Sequence, residues 1–175
     1  FKDALRKNMI PYNPAERVVL PKAEKFESGY YTAEQVHTMF DALAGELLLP
    51  LIKITVIYGL RRSEVLGLKW ENINCKASTV AIRHTVSKCT STVAKDKTKN
   101  ISSRRIYPML PEIREILHEA KEKDRAKHVL FGEAYDVNDY VFKWEDGHPY
   151  SPDFISQKFR RLLEQHGLPH IRFHD

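Results

Sequence analysis

Between Trp70 and Pro111 the chain drops the helical spacing of apolar residues that runs on either side of it. Thr79-Val-Ala-Ile-Arg-His-Thr-Val86 is rich in β-branched residues, which fit a pleated strand better than a helix. Arg104-Arg-Ile-Tyr107 reads as a second strand, and the stretch between them as a hairpin or short sheet. A chain that must bury helical stripes before and after such an insert is restricted to a mainly α fold with a small antiparallel β-sheet, an α+β arrangement. At 175 residues it has room for one well-formed domain.

The helices are legible from caps and stripes. Thr32 followed by Gln35 forms a capping box, and Val36, Met39, Phe40 and Leu43 then mark one face. A buried helix is expected from about Glu46 to Tyr58, with Pro50 near its first turn, and a short one from Ser63 to Leu68. Pro111 opens another, with Ile113, Ile116, Leu117 and Ala120 inward. Val129-Leu-Phe131 reads as a strand-like exit. Ser151-Pro152 is a cap with proline at the first helical position, starting a helix whose inner face is Ile155, Phe159, Leu162 and Leu163. Phe1, Leu5 and Met9 form a helical stripe that Pro11 and Pro14 stop, and the residues from Tyr12 to Gly29 have no sustained period and read as a linker.

Charge is unevenly spread. The chain carries +5 overall, yet from Lys76 to Ile106 eight Lys or Arg face one acid, Asp96, giving +7 there and −2 elsewhere. Such a segment serves equally as a solvated basic loop or as a face for a polyanion. No apolar run approaches the ~20 residues that cross a bilayer. Cys75 and Cys89 have neither metal nor redox spacing and read as free thiols, so the cytoplasm is the expected compartment. The start, Phe1-Lys2-Asp3-Ala4, has no signal-peptide organisation and no initiator Met, and reads as a cut inside a longer protein.

The segment with most chemical content is Tyr58-Gly-Leu-Arg-Arg-Ser-Glu-Val-Leu-Gly-Leu-Lys-Trp70. Gly59 breaks the buried helix, and Arg61 and Arg62 follow at the start of the next one. A partly desolvated guanidinium needs an anion, and its fork of donors suits a phosphate. Glu64 stands one turn after Arg61 and can brace it. The residues alone leave two readings open: a phosphate-binding arginine, or an ion pair that merely closes a helical turn.

Gly59-Leu-Arg-Arg-Ser-Glu-Val-Leu-Gly-Leu-Lys-Trp70 resembles the first arginine box of the tyrosine recombinase (phage integrase) family. In the family's order, Lys97-Thr-Lys-Asn-Ile-Ser-Ser-Arg-Arg-Ile-Tyr-Pro108 is similar to its β-hairpin with a catalytic lysine, and His170-Ile-Arg-Phe-His174-Asp175 to the approach to its His-x-x-Arg box. Tyr30-Tyr-Thr-Ala-Glu-Gln-Val36 resembles the start of the catalytic domain, and Pro11-Tyr-Asn-Pro14 the exit from the core-binding domain. The flavour is that of integrases from mobile elements and phages of Gram-positive bacteria.

The resemblance implies the tyrosine-recombinase catalytic-domain fold, C-terminally incomplete. Residues 1–13 would end a preceding core-binding domain, 14–30 would be a linker, and 31–175 the N-terminal and central part of the catalytic domain. Arg61 would hold the scissile phosphate, with Glu64 orienting the basic groups behind it. Lys97 would be the general acid, chosen for its Lys-Thr-Lys setting, with Lys99 its competitor. Lys95, Lys97 and Lys99 share one face of any extended strand. His174 would donate to the phosphate or shuttle a proton. Arg62, Lys95, Lys99, Arg104 and Arg105 would contact DNA. His84, His148, His166 and His170 receive no chemistry, and no metal or other cofactor is implied.

The implied reaction is breakage and rejoining of DNA through a 3′-phosphotyrosyl intermediate. None of Tyr30, Tyr31, Tyr58, Tyr107, Tyr135, Tyr140 or Tyr150 follows the His-x-x-Arg position. The nucleophile and second arginine are therefore expected beyond Asp175, and the 175-residue chain alone is expected not to cleave DNA. The implied partners are double-stranded DNA, three further copies in a tetramer on the recombination site, and accessory DNA-bending or excision factors. Two rival readings stand beside this one: a non-catalytic DNA-binding or regulatory module of the same fold, and a type IB topoisomerase-like enzyme.

Overall fold

The computed structural model describes residues 1–19, 29–88, 92–95 and 105–173. Helix α1 (Lys2–Arg6) is short and buries none of its residues, and Phe1 and Met9 of the expected stripe are exposed. Asn13 caps a single 3₁₀ turn at Pro14–Arg17 by accepting a hydrogen bond from the Ala15 N–H.

Helix α2 (Ala33–Ala42) begins with the capping box read from the sequence. Thr32 Oγ1 accepts from the Gln35 N–H at 3.3 Å, and Gln35 Oε1 accepts from the Thr32 N–H at 2.9 Å. Helix α3 (Leu49–Tyr58) starts three residues later than expected, with Pro50 in its first turn. It buries Leu51, Ile52, Ile54, Thr55 and Tyr58 along one face, while Val56 on the opposite side is exposed. Each such apolar side chain contributes about 1.5–3 kcal/mol of burial. Gly59 ends α3 in the left-handed region at φ 58°, where a side chain would be strained. Helix α4 (Arg62–Leu66) follows α3 after three residues, Gly59, Leu60 and Arg61.

The β-structure is more divided than the sequence suggests. Strands β1 (Ile73–Asn74) and β2 (Thr79–Ile82) pair antiparallel. Strand β3 (Thr85–Lys88) pairs with β4 (Thr92–Lys95) in a separate two-stranded ladder. Strand β5 (Arg105–Pro108) joins the other edge of β2, with Ile82 opposite Arg105. The single strand expected over 79–86 therefore breaks at Arg83–His84. The break lies against Gly67, the residue after α4: a β-carbon there would fall 2.3 Å from the His84 carbonyl oxygen, so the two backbones pack in direct contact. His84 is buried at the turn, with Nε2 3.0 Å from the Tyr140 hydroxyl.

Helix α5 (Pro111–Phe131) anchors its first half through buried Ile113 and Leu117. Val129-Leu-Phe131 is its last turn and not a strand: no Gly or Pro interrupts the helix before Gly132 at φ 54°. Helix α6 (Pro152–Gln165) is capped by Ser151 and buries Ile155, Phe159, Leu162 and Leu163, the four residues expected. Together α2, α3, α4, β2, α5 and α6 enclose one apolar core. The molecule is thus mainly helical with small antiparallel sheets beside α4. No described helix is long and apolar enough to cross a membrane.

Candidate active site

The turn between α3 and α4 gathers the charged groups. Arg61 is the residue before α4 begins, in extended conformation at φ −72° and ψ 152°. Glu64 reaches back one turn: Oε2 accepts from the Arg61 N–H at 2.8 Å, and Oε1 lies 3.2 Å from Arg61 Nη1. The acid is 3% exposed while the Arg61 side chain is 70% exposed. A buried carboxylate therefore anchors an arginine whose remaining donors face outward.

A second arginine shares that carboxylate. Arg105 Nη2 donates to Glu64 Oε2 at 2.7 Å. One buried negative charge thus serves two guanidinium groups, and the cluster keeps a net positive charge that an oxyanion would satisfy. Arg105 also lies over the Tyr107 ring at 5.7 Å, and Tyr107 stacks on Tyr58 at 4.7 Å between centroids. The Tyr58 hydroxyl donates to the Pro108 carbonyl at 2.8 Å, and burial pushes its pKa above the ordinary tyrosine value. Strand β5 is thereby fastened to both sides of the Gly59 break.

Arg62 points the other way. It is half-buried, and its Nη1 donates to the Ser156 hydroxyl on α6. Beside it a groove of about 360 Å³ is lined by Arg160, His170 and Arg172 as well as apolar Phe159, Ile171 and Phe173. On the Arg61 side lies a cleft of about 380 Å³ bordered by Tyr30, Tyr31, Met39, Thr55 and Phe173. Arg61 and Arg62 therefore stand between two clefts, both reaching the 171–173 segment that precedes His174.

Of the residues singled out in the sequence, Arg61, Glu64 and Arg105 come together, and Arg62 is adjacent to them. Lys95 closes β4 opposite Thr85. Lys97, Lys99, Arg104 and His174 lie outside the described residues. The sequence reading gave Arg105 only a DNA contact and missed its bond to Glu64, which spans 41 residues. The strand register, with Arg105 opposite Ile82, is what brings it there. It also missed Ser156, Arg160 and Arg172 as neighbours of Arg62. Among the described residues, no three His, Cys, Asp or Glu are grouped to hold a metal ion.

The phage integrase family model matches residues 30–175. This chain belongs to the phage integrase family. A tyrosine recombinase XerC-like protein of Caldanaerobacter subterraneus subsp. tengcongensis is 26% identical over 195 residues, covering 99% of this chain and 49% of that protein. The integrase-family chain thus spans about half the length of its curated relative. Its fold matches the Tn1549 transposon integrase solved in complex with circular intermediate DNA, at a TM-score of 0.73 and 16% identity, over 99% of this chain and 59% of that one. It also matches lambda integrase, solved as a tetramer bound to a Holliday junction, at a TM-score of 0.66 and 17% identity, over 99% of this chain and 47% of that one. The small sheets beside α4 in this integrase-family member are part of that shared catalytic-domain fold.

Proposed function

We propose that this chain is the phosphate-holding part of the catalytic domain of a site-specific DNA recombinase, a tyrosine-type strand transferase. The observation that carries the reading is the outward-facing Arg61 anchored on a buried carboxylate, in a chain of this family. Arg61 grips a non-bridging oxygen of the scissile phosphate and offsets the charge that builds on it in the transition state. Glu64 fixes its direction. Residues 1–13 end a preceding domain, 14–30 link it, and 31–175 form the catalytic part.

In the proposed reaction a tyrosine oxygen attacks the phosphorus and the bond to the 5′ oxygen breaks. Lys97, or its competitor Lys99, gives that oxygen its proton, while His174 donates a hydrogen bond to the phosphate. The 5′ hydroxyl of a partner strand then attacks the phosphotyrosyl bond and releases the tyrosine. The bond energy is kept throughout, so no nucleotide cofactor is needed. The attacking tyrosine is expected beyond Asp175, and the 175 residues alone are expected to bind DNA without cutting it.

Arg62, Lys95, Lys99 and Arg104 supply positive charge along the duplex. Assembly as a tetramer on the recombination site, with accessory DNA-bending or excision factors, is part of the same proposal. The lambda integrase tetramer on a Holliday junction supports the oligomeric element of it. Action in the cytoplasm, where the DNA lies, completes the reading.

Binding of this chain to a 30-base-pair duplex across a salt series tests the DNA-holding role. The expected result is a log–log slope of roughly −0.9 for each phosphate neutralised, reduced by about one in Arg61→Ala. Affinity that ignores salt, or an unchanged slope in Arg61→Ala, would remove Arg61 from the DNA.

A further inference from the structure

We propose that Arg105 is a positioning residue for Arg61, acting through Glu64, and not in the first place a contact to the DNA backbone. The inference rests on the recombinase reading for its consequence, since what Arg105 positions is the arginine proposed to hold phosphate.

Three contacts to one carboxylate define the device. Glu64 Oε2 takes the Arg61 N–H at 2.8 Å and Arg105 Nη2 at 2.7 Å, which leaves Oε1 turned toward Arg61 Nη1 at 3.2 Å. A carboxylate is free to rotate about its last bond. The pair of donors on one oxygen fixes that rotation, and so sets where the other oxygen holds the Arg61 guanidinium. Burial makes the selection necessary: at 3% exposure Glu64 cannot replace a lost partner with free water.

Arg105 is itself held in place. It lies on β5, registered opposite Ile82, with the Tyr107 ring under its guanidinium and Tyr107 stacked on Tyr58. Its side chain is 37% exposed against 70% for Arg61. The less exposed arginine is spent on the acid, and the more exposed one is free to meet an anion. Strand β5 and the α3–α4 turn, far apart in sequence, thus fix the direction of Arg61 jointly. The strand that follows the lysine-bearing segment 95–99 is therefore mechanically tied to the phosphate-holding arginine.

The test combines a DNA-free readout with a binding cycle on this chain. Nitrogen-15 NMR reports how fast the Arg61 guanidinium rotates about its Nε–Cζ bond. Rotation is expected to be slow in the wild type, faster in Arg105→Ala and largely restored in Arg105→Lys, which returns a cation to Glu64 Oε2. In duplex binding, Arg61→Ala and Arg105→Ala are each expected to weaken affinity about ten-fold, with no further loss in the double variant. Thermal unfolding of every variant identifies any that fails to fold, in which case Arg105→Lys against Arg105→Gln repeats the comparison. Equal loss from Arg105→Ala in the wild-type and Arg61→Ala backgrounds would make Arg105 an independent phosphate contact and overturn the proposal. Unchanged Arg61 rotation in Arg105→Ala would overturn it whether or not the chain binds DNA. Absence of DNA binding by the wild type would instead remove the recombinase reading, and the rotation measurement alone would then decide the positioning role.

Discussion

Tyr107 of β5 stacks on Tyr58, the last residue of α3, with centroids 4.7 Å apart and planes inclined by 21°. The contact ties a strand edge to the helix end that the Gly59 break follows. Tyr107→Ala removes this stack together with the surface under Arg105, and is expected to cost about 1–3 kcal/mol. Tyr58→Phe keeps the rings and loses only the bond to the Pro108 carbonyl, about 1 kcal/mol. Denaturant unfolding of the two variants should rank them in that order.

Gly67→Ala probes the break between β2 and β3. The added methyl would meet the His84 carbonyl at 2.3 Å, and backbone on both sides leaves no side chain to swing away. Overpacking of this kind costs about 1–3 kcal/mol or more. The expected outcome is a lowered thermal midpoint, with the amide protons of β3 exchanging faster than those of α6.

Lys143 is buried, with its ammonium 2.8 Å from Asp124 and 3.2 Å from the Asn138 carbonyl. Removing one member of such a pair leaves an uncompensated charge, which costs about 3–5 kcal/mol when burial is complete. Asp124 is 24% exposed, so Lys143→Ala is expected to fall at or below the lower end of that range, in chemical denaturation at neutral pH.

Burial, and secondarily the charge of Glu145, pushes the Tyr150 hydroxyl up to about 12. The unfolded chain ionises near the ordinary value of 10, where the folded one does not. Below pH 10 this stability is fully present, and it is lost as pH climbs from about 10 toward 12. Tyr150→Phe should flatten that part of the stability–pH curve by about 2 kcal/mol, read by urea unfolding at several alkaline pH values.

What the sequence made legible is local. The Thr32–Gln35 box, the Ser151-Pro152 cap, the α6 face and the Gly59 break all depend on residues within a few positions of one another, and each appears where expected. The pairing of Arg61 with Glu64 is of the same kind. What escaped depends on distant neighbours. The strand break at His84 lies against the backbone of Gly67, the Arg105–Glu64 bond needs the register of β2 with β5, and the Arg62–Ser156 bond joins residues 94 positions apart. Val129–Phe131 misled for another reason: three apolar residues in a row suit a strand or a helix end equally, and only the uninterrupted α5 decides.

The central claim, that Arg61 holds a phosphate which a tyrosine attacks, is tested most directly by covalent capture. The full-length protein carrying this chain is incubated with a nicked duplex bearing the element's end and then denatured. The account predicts a protein–DNA adduct that survives denaturant, is digested to a phosphotyrosine-linked nucleotide, and disappears in Arg61→Ala. No adduct, although the same protein binds the same duplex in a salt-sensitive way, would contradict it and leave a DNA-binding module without the strand-transfer chemistry.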